Sequence, residues 1–249
     1  MGKNTGIAWT DSTWNPWWGC TKVSPGCDNC YAETFDKRVG GDHWGKGAPR
    51  RTFGLKHWEE PRKWNHEASK TGKQHRVFCG SMCDIMDDEA PEGARERLWQ
   101  LIFETPCLTW QLLTKRPQRY HRYLPKSFVF DNVWLGTTCE DQKFYDIRLP
   151  IVAADAMERG LKFWVSYEPA LGPVTMRNLS MRPDWIIFGG ESGHGRRPME
   201  EKWARDLLAE CQELNIPFFM KQFGGLTPNA GKKLIPADLL IHQFPAGEQ

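Results

Sequence analysis

Short apolar, strand-like runs recur along this chain, and they limit its possible folds more than any other feature. They lie at 76–80, 107–113, 133–137, 162–166, 184–189 and 216–221, with starts spaced by 31, 26, 29, 22 and 32 residues. Amphipathic helical patterns fill several gaps. Residues 91–104 place Ala94, Leu98, Leu101 and Ile102 on one side. Residues 199–214 gather Trp203, Leu207, Leu208, Cys211 and Leu214, with Glu200 and Glu201 at the positive end of the helix dipole. Residues 141–159 predict a third helix, perturbed by Pro150, and 173–182 has no clear pattern. Strand followed by helix, repeated, means parallel strands joined by crossovers. A first strand at 6–10 makes seven units, and residues 239–244 either add an eighth strand or cover an end. The expected class is α/β: a parallel (β/α) barrel, partial or complete, with six to eight strands and a long basic insert after the first unit. An open doubly wound sheet is the alternative. A length of 249 residues suits one such domain.

The insert spans about residues 40–75 and is irregular in pattern. A structureless loop of that length is unusual, so it is either functional or partly helical. Net charge over the whole chain is only +2, yet between Lys46 and Arg76 nine Lys or Arg face three Glu. Phe53, Trp58 and Trp64 and His57, His66 and His75 are interleaved with them. Cations among aromatics suit phosphate contact and base stacking. Contact with a polyanion through Arg50, Arg51, Arg62 and Lys63 is one expectation, and an ordinary solvated loop is the other.

Cys20, Cys27 and Cys30 fall within eleven residues, with six residues between the first pair and two between the second. Gly19, Pro25 and Gly26 let the backbone wrap a small object. Ser24-Pro25 reads as a helix start, and 27–38 as a helix with Tyr31, Phe35 and Val39 near one face. Three thiols without a local fourth ligand suggest a centre with one position open. A closed structural zinc site lacks that position, whereas an iron–sulfur cube held by three cysteines has it. Of the other five cysteines, Cys107 and Cys211 read as core, and Cys83 and Cys139 sit at strand ends. There is no export signal and no apolar run long enough to cross a membrane, so a cytoplasmic protein with reduced thiols is expected.

In a barrel the site lies at the C-terminal ends of the strands. Here those ends run into Ser81-Met82-Cys83-Asp84, Thr114-Lys115-Arg116-Pro117, Thr137-Thr138-Cys139-Glu140, Ser166-Tyr167-Glu168-Pro169, Gly189-Gly190-Glu191-Ser192-Gly193 and Lys221-Gln222-Phe223-Gly224. If the strands hold, all of these face one mouth together with the cysteine loop. Gly189-Gly190 admits close backbone approach to a ligand, and Glu191 suits an amine. Alternatively Glu140, Glu168 and Glu191 cap helices or neutralise Lys115, Arg116 and Lys221.

The barrel rhythm with three early cysteines resembles the radical S-adenosylmethionine superfamily. The chain more closely resembles a family of largely uncharacterised phage and bacterial proteins described by a three-cysteine motif. Its pattern is matched by Trp14-Asn15-Pro16, Gly19-Cys20, Ser24-Pro25-Gly26-Cys27, Cys30-Tyr31-Ala32, Ser81-Met82, Asp84, Leu113-Thr114-Lys115-Arg116-Pro117, Glu168-Pro169, Gly189-Gly190-Glu191-Ser192-Gly193 and Lys221-Gln222. The superfamily resemblance implies a [4Fe-4S] cluster on Cys20, Cys27 and Cys30, and S-adenosyl-L-methionine chelated by the free iron. It also implies a 5′-deoxyadenosyl radical and a reductant such as flavodoxin or ferredoxin. Candidate cofactor contacts are Ser166, Glu191, Ser192 and Tyr31. Candidate catalytic residues are Lys115, Glu168 and Lys221, with Lys115, Arg116 and Lys221 suited to a carboxylate or phosphate. The basic insert and the phage-like resemblance point to nucleic-acid or nucleotide modification or repair.

The chain departs from the superfamily at three points. Superfamily cysteine spacing is three then two. Its Gly-Gly-Glu follows the second strand, whereas here it follows the sixth, so Glu191 does not inherit an amine-binding role by position. Asn29 stands where an aromatic is usual. Two readings from other classes stay open: a nucleic-acid-binding protein with a structural iron–sulfur or zinc site, the latter completed by a histidine such as His43, and a metal-dependent hydrolase. Oligomeric state is left open.

Overall fold

The computed structural model describes residues 2–3, 5–126, 130–176 and 180–245. One eight-stranded sheet organises them, in sequence order: β1 (Gly2–Lys3), β2 (Ser12–Trp14), β3 (His75–Cys79), β4 (Leu108–Thr114), β5 (Val133–Thr138), β6 (Lys162–Tyr167), β7 (Trp185–Gly189) and β8 (Phe218–Gln222). β1 is antiparallel to β2, and β2 to β8 are parallel throughout. Among the described residues β8 is not paired back to the first strands. The result is a curled half-barrel of seven parallel strands, as the strand–helix rhythm predicts. The free edge of β8 is covered by residues 241–243. Met220 N donates to Ile241 O at 2.8 Å and Gln243 N to Phe218 O at 3.0 Å. The 239–244 segment therefore covers an edge and is not an eighth parallel strand.

The helices are α1 (Tyr31–Arg38), α2 (Leu55–Trp58), α3 (Glu60–Thr71), α4 (Ala94–Phe103), α5 (Tyr120–Tyr123), α6 (Gln142–Arg159), α7 (Glu201–Leu214) and α8 (Pro228–Lys232). Sequence periodicity places α4, α6 and α7 to within three residues. α6 runs through Pro150 as one helix, capped by Asp141, which accepts from Phe144 N at 3.0 Å. The insert is partly helical, carrying α2 and α3. The helix expected from residue 27 begins at Tyr31, preceded by a single 3-10 turn at Pro25–Cys27. Tyr31 and Val39 are exposed, and α1 buries Ala32 and Asp36 instead. Of 173–182, residues 177–179 lie outside the described residues, and the rest form no helix or strand.

The first strand differs from expectation. Residues 6–10 form a turn, closed by Thr10 N to Ile7 O, and the strand is Ser12–Trp14. Polar Ser12 and Thr13 hide it in the sequence, yet all three residues are buried. Ser12 Oγ is matched by His75 Nε2 at 2.8 Å.

Strand alternation divides the apolar residues between two layers. Val77, Trp110, Leu112, Leu135, Val165, Phe188 and Met220 face the helices with Leu98, Leu101, Val152 and Leu207. The opposite parity forms the concave face: Phe78, Trp134, Trp164, Trp185, Ile187 and Phe219, with Trp9 from the first turn. Trp9 lies 4.7 Å from Phe78 and 5.4 Å from Trp164, centroid to centroid. An aromatic floor thus fills the lower half of the barrel. The same parity leads upward to Thr138, Ser166, Glu168, Gly189 and Lys221, so the upper half is polar.

Gly136 on β5 makes the floor possible, because a Cβ there would stand 2.3 Å from the Trp164 ring. Gly136→Ala is expected to destabilise by about 1–3 kcal/mol through overpacking. An unchanged urea midpoint would show that the indole is free to move aside.

Candidate functional site

The loop between β2 and α1 carries Cys20, Cys27 and Cys30, all half-buried. Gly19 has φ +113°, and a Cβ on it would lie 2.2 Å from His43 O, so only glycine fits the start of the loop. Cys30 packs beside Trp18, Ala32 and Met82 in a small satellite core.

Three buried or part-buried acid–arginine pairs tie this loop to the strand ends. At the end of β4, Arg116 Nη1 lies 2.7 Å from Asp84 Oδ2. The same guanidinium donates to Thr21 O at 2.5 Å and reaches Cys20 Sγ at 3.5 Å. Asp84 also accepts from Thr114 Oγ1 at 2.6 Å, Met86 N at 2.9 Å and Lys115 N at 3.1 Å. At the end of β5, Glu140 Oε2 lies 2.6 Å from Arg148 Nη1 of α6, and its other oxygen accepts from Ser24 Oγ. Arg148 Nη1 also donates to Thr138 O at 2.7 Å. At the end of β7, Glu191 pairs with Arg197 and accepts from Asn29 Nδ2 at 2.9 Å, while Arg197 donates to Pro25 O at 2.8 Å. Each carboxylate holds a different part of the cysteine loop.

Burial with Asp84 nearby pushes the Cys20 thiol up to about 12, although Arg116 works the other way. Burial opposes the charge on Lys115, but Cys27, Glu140 and Cys30 outweigh it and hold the ammonium above the usual lysine range. The Lys115 Nζ has no hydrogen-bond partner among the described residues, and it lies within electrostatic reach of Cys27, Glu140 and Cys30. Glu168 and Lys221 form an ion pair at the upper rim, with Gly189 beside them. Ser166 is buried on the inner face, and Ser192 bridges to Gly225. Tyr31 is half-exposed, its hydroxyl donating to Ser81 O at 2.6 Å.

Several expectations change. Glu191 is engaged by Arg197 and Asn29, so it is not open to an ammonium group. Gly190 is required by packing, since a Cβ would lie 2.5 Å from Gly224 N and from Met199 Sδ. Cys107 is half-buried, whereas Cys79, Cys83, Cys139 and Cys211 are buried. Burial raises all four of these thiols. His43 Nδ1 is 2.8 Å from Asp36 Oδ1, which occupies it away from a zinc role at that nitrogen. Asp84, Glu140, Glu168 and Glu191 are all ion-paired. Among the described residues no group of three His, Cys, Asp or Glu is gathered at metal-holding distance. The donor set still has the chemistry of a thiolate centre: three half-buried thiols on one loop, with Arg116 on the first.

The basic insert is also reassigned. Arg50, 2% exposed, binds Asp87 and Glu89 at 2.9 Å each and Thr21 Oγ1 at 2.8 Å, so it braces the cysteine loop. Arg51 lies over the Trp18 ring at 4.6 Å, and Arg62 pairs with Glu59 and Glu104. Trp58 and Trp64 are buried, out of reach of a base. Arg148, Arg197 and Asn29 were not legible as site residues. Their only signal was polarity within segments that read as helix surface or loop.

Asp84 supplies a pH test. Burial alone would raise its pKa, but Arg116, the Thr114 hydroxyl and the Met86 and Lys115 amides hold it below its ordinary value. A depressed acid stabilises the fold above its unfolded pKa, and that contribution is lost as pH falls through the folded pKa. Stability is therefore expected to be flat in this respect above about pH 4 and to fall below it. Asp84→Asn should cost about 3–5 kcal/mol at pH 7, by leaving Arg116 without its nearest counter-charge, and should lose part of the acid limb. Urea unfolding from pH 2 to 7 measures both. An identical pH dependence in the variant would contradict the assignment.

No curated protein matches the sequence. Among solved structures, a cysteine-to-serine variant of spore photoproduct lyase superposes with a TM-score of 0.57 at 11% identity, covering 91% of this chain and 79% of that one. A tyrosine-to-phenylalanine variant of the same enzyme gives 0.50 at 12% identity, covering 83% and 64%. A double variant with bound AdoMet and dinucleoside spore photoproduct gives 0.49 at 14% identity, covering 86% of this chain and 55% of that one. This chain thus spans little more than half the length of that last structure. At such identities the likeness is one of fold. No helix among the described residues is long and apolar enough to cross a membrane. The family described as protein of unknown function (DUF5131) matches residues 4–239, and the chain belongs to it.

Proposed function

We propose that the chain is a radical S-adenosylmethionine-type enzyme acting on a nucleic acid or nucleotide. One observation carries the reading: a loop with three half-buried thiols is braced across the mouth of a parallel half-barrel by Arg116, Glu140, Glu191 and Arg50. The half-barrel shared with spore photoproduct lyase supports it at the level of fold. Cys20, Cys27 and Cys30 would hold a [4Fe-4S] cluster, the usual work of cysteine thiolates in such centres. When bound, the cluster with S-adenosyl-L-methionine supplies a reducing electron and a 5′-deoxyadenosyl radical for hydrogen abstraction.

The chain's own residues bind, orient and exclude water. The ion pair of Glu168 and Lys221 is complementary to an amino-acid terminus, with Glu168 for the ammonium and Lys221 for the carboxylate. Lys115 neutralises anionic charge at the loop or on a substrate phosphate. Ser166 and Ser192 offer hydroxyls on the inner face and at the rim. The Tyr31 ring, anchored through its hydroxyl, covers the entrance. Glu191 acts through Asn29 and Arg197 as a positioning residue. A reductant of the flavodoxin or ferredoxin kind would supply electrons.

Anaerobic reconstitution tests this. Wild-type protein should take up about four irons per chain, with matching sulfide. Cys20→Ala, Cys27→Ala and Cys30→Ala should each lose the cluster, while Cys211→Ala keeps it. Calorimetry of the loaded protein should detect S-adenosyl-L-methionine binding, weakened in Glu168→Gln with iron content unchanged. One bound zinc and no iron, or no binding by fully loaded protein, would defeat the reading.

A further inference from the structure

The mouth chemistry leaves much of the Gly-Gly-Glu and Lys-Gln-Phe-Gly motifs unexplained. Their backbones continue the pairing of β7 and β8 beyond the strands. Gly190 N donates to Gln222 O at 2.9 Å, Gly193 N to Gly225 O at 3.0 Å and Gly225 N to Glu191 O at 3.2 Å. Gly225 and Gly231 pack so closely that a Cβ on either would come within 2.4 Å of backbone. These contacts build a fixed wall. Against it lies a cavity of about 570 Å³, whose lining includes Arg196, Pro198, Met199, Phe223 and Leu234. That volume suits one nucleotide.

We propose that this groove binds a nucleotide unit of single-stranded nucleic acid next to the mouth. The proposal rests on the substrate reading above and deepens it. The chemistry is that of a stacking platform flanked by cations. Phe223 gives an aromatic face, and Met199, Pro198 and Leu234 give apolar walls. Arg196 is exposed and bonded only through Nη1 to Gly193 O at 3.3 Å, which leaves its remaining donors for a phosphate. Lys233, beside Leu234, is exposed and in no ion pair among the described residues. Arg197, also in the lining, is taken up by Glu191, Asp28 and Pro25 O. Glu201 is held by Arg205 at 2.6 Å, while Glu200 stays exposed and tempers the positive charge. The groove joins the site through Asn29, which donates to Gly195 O at 2.7 Å and to Glu191. A strand seated here would pass a neighbouring nucleotide toward the cysteine loop.

The test is fluorescence anisotropy with a short labelled DNA oligonucleotide and its RNA counterpart, over a range of salt. Arg196→Ala with Lys233→Ala should weaken binding about tenfold and flatten the log–log salt slope by about 1.4. Glu200→Gln should tighten it. Phe223→Leu keeps apolar packing but should weaken binding about fivefold and lose the quenching of a 2-aminopurine base. Unaltered affinity and slope in the double variant, or no oligonucleotide binding by wild-type protein, overturns the proposal. Iron measured on the same preparations separates the two readings. A loaded protein that binds no oligonucleotide fails only the groove, and an oligonucleotide-binding protein that loads no cluster fails only the enzyme.

Discussion

The placement of the cysteine loop depends on arginine–carboxylate pairs at the strand ends. Such pairs are poor sources of net stability, because desolvating both charges offsets most of their attraction. Their geometry here is what makes them useful. Asp84 accepts four donors and Glu140 is fully buried between Arg148 and Ser24. A partner displaced from this arrangement leaves a buried charge uncompensated, which is strongly penalised. The loop is therefore held in one position by the cost of leaving it. Apolar contacts alone would hold it with less directional preference.

The two layers of the sheet divide the labour. The helix-facing layer is ordinary aliphatic and aromatic packing. The concave layer is aromatic below and ionic above, and the change occurs within single strands: Trp164 to Ser166 on β6, Trp185 and Ile187 to Gly189 on β7, Phe219 to Lys221 on β8. Two residues separate each step because strand side chains alternate. The rings below the mouth are less polarisable than water, so charges above them interact more strongly than in bulk water.

Much of this was legible before the structure. The spacing of β3 to β8 follows from apolar runs bounded by turns, and the mouth residues follow from where those runs end. The first strand was not legible, because Ser12 and Thr13 are polar and Ser12 satisfies its burial through His75, distant in sequence. Arg148 was hidden for a related reason. It lies on a helix whose polar residues read as solvent-facing, and its contacts with Glu140 and Thr138 O draw it inward. Glu191 was legible as a site residue but not in its role, since that depends on Asn29 and Arg197 arriving from two different loops. Pairing between distant charges leaves no periodic trace.

The insert carries the same lesson into function. Its excess of positive charge suggests a surface for polyanions, but charge counted along a chain says nothing about whether each cation already has a partner. Arg50 and Arg62 are matched by Asp87, Glu89, Glu59 and Glu104, and Arg51 is seated on Trp18. Their work is to hold the insert and the cysteine loop together. The cations with unengaged donors near the mouth are fewer and lie elsewhere: Lys115 within it, Arg196 and Lys233 at the rim of β7 and β8. A polyanion seated on these reaches the mouth without an internal pair having to break first.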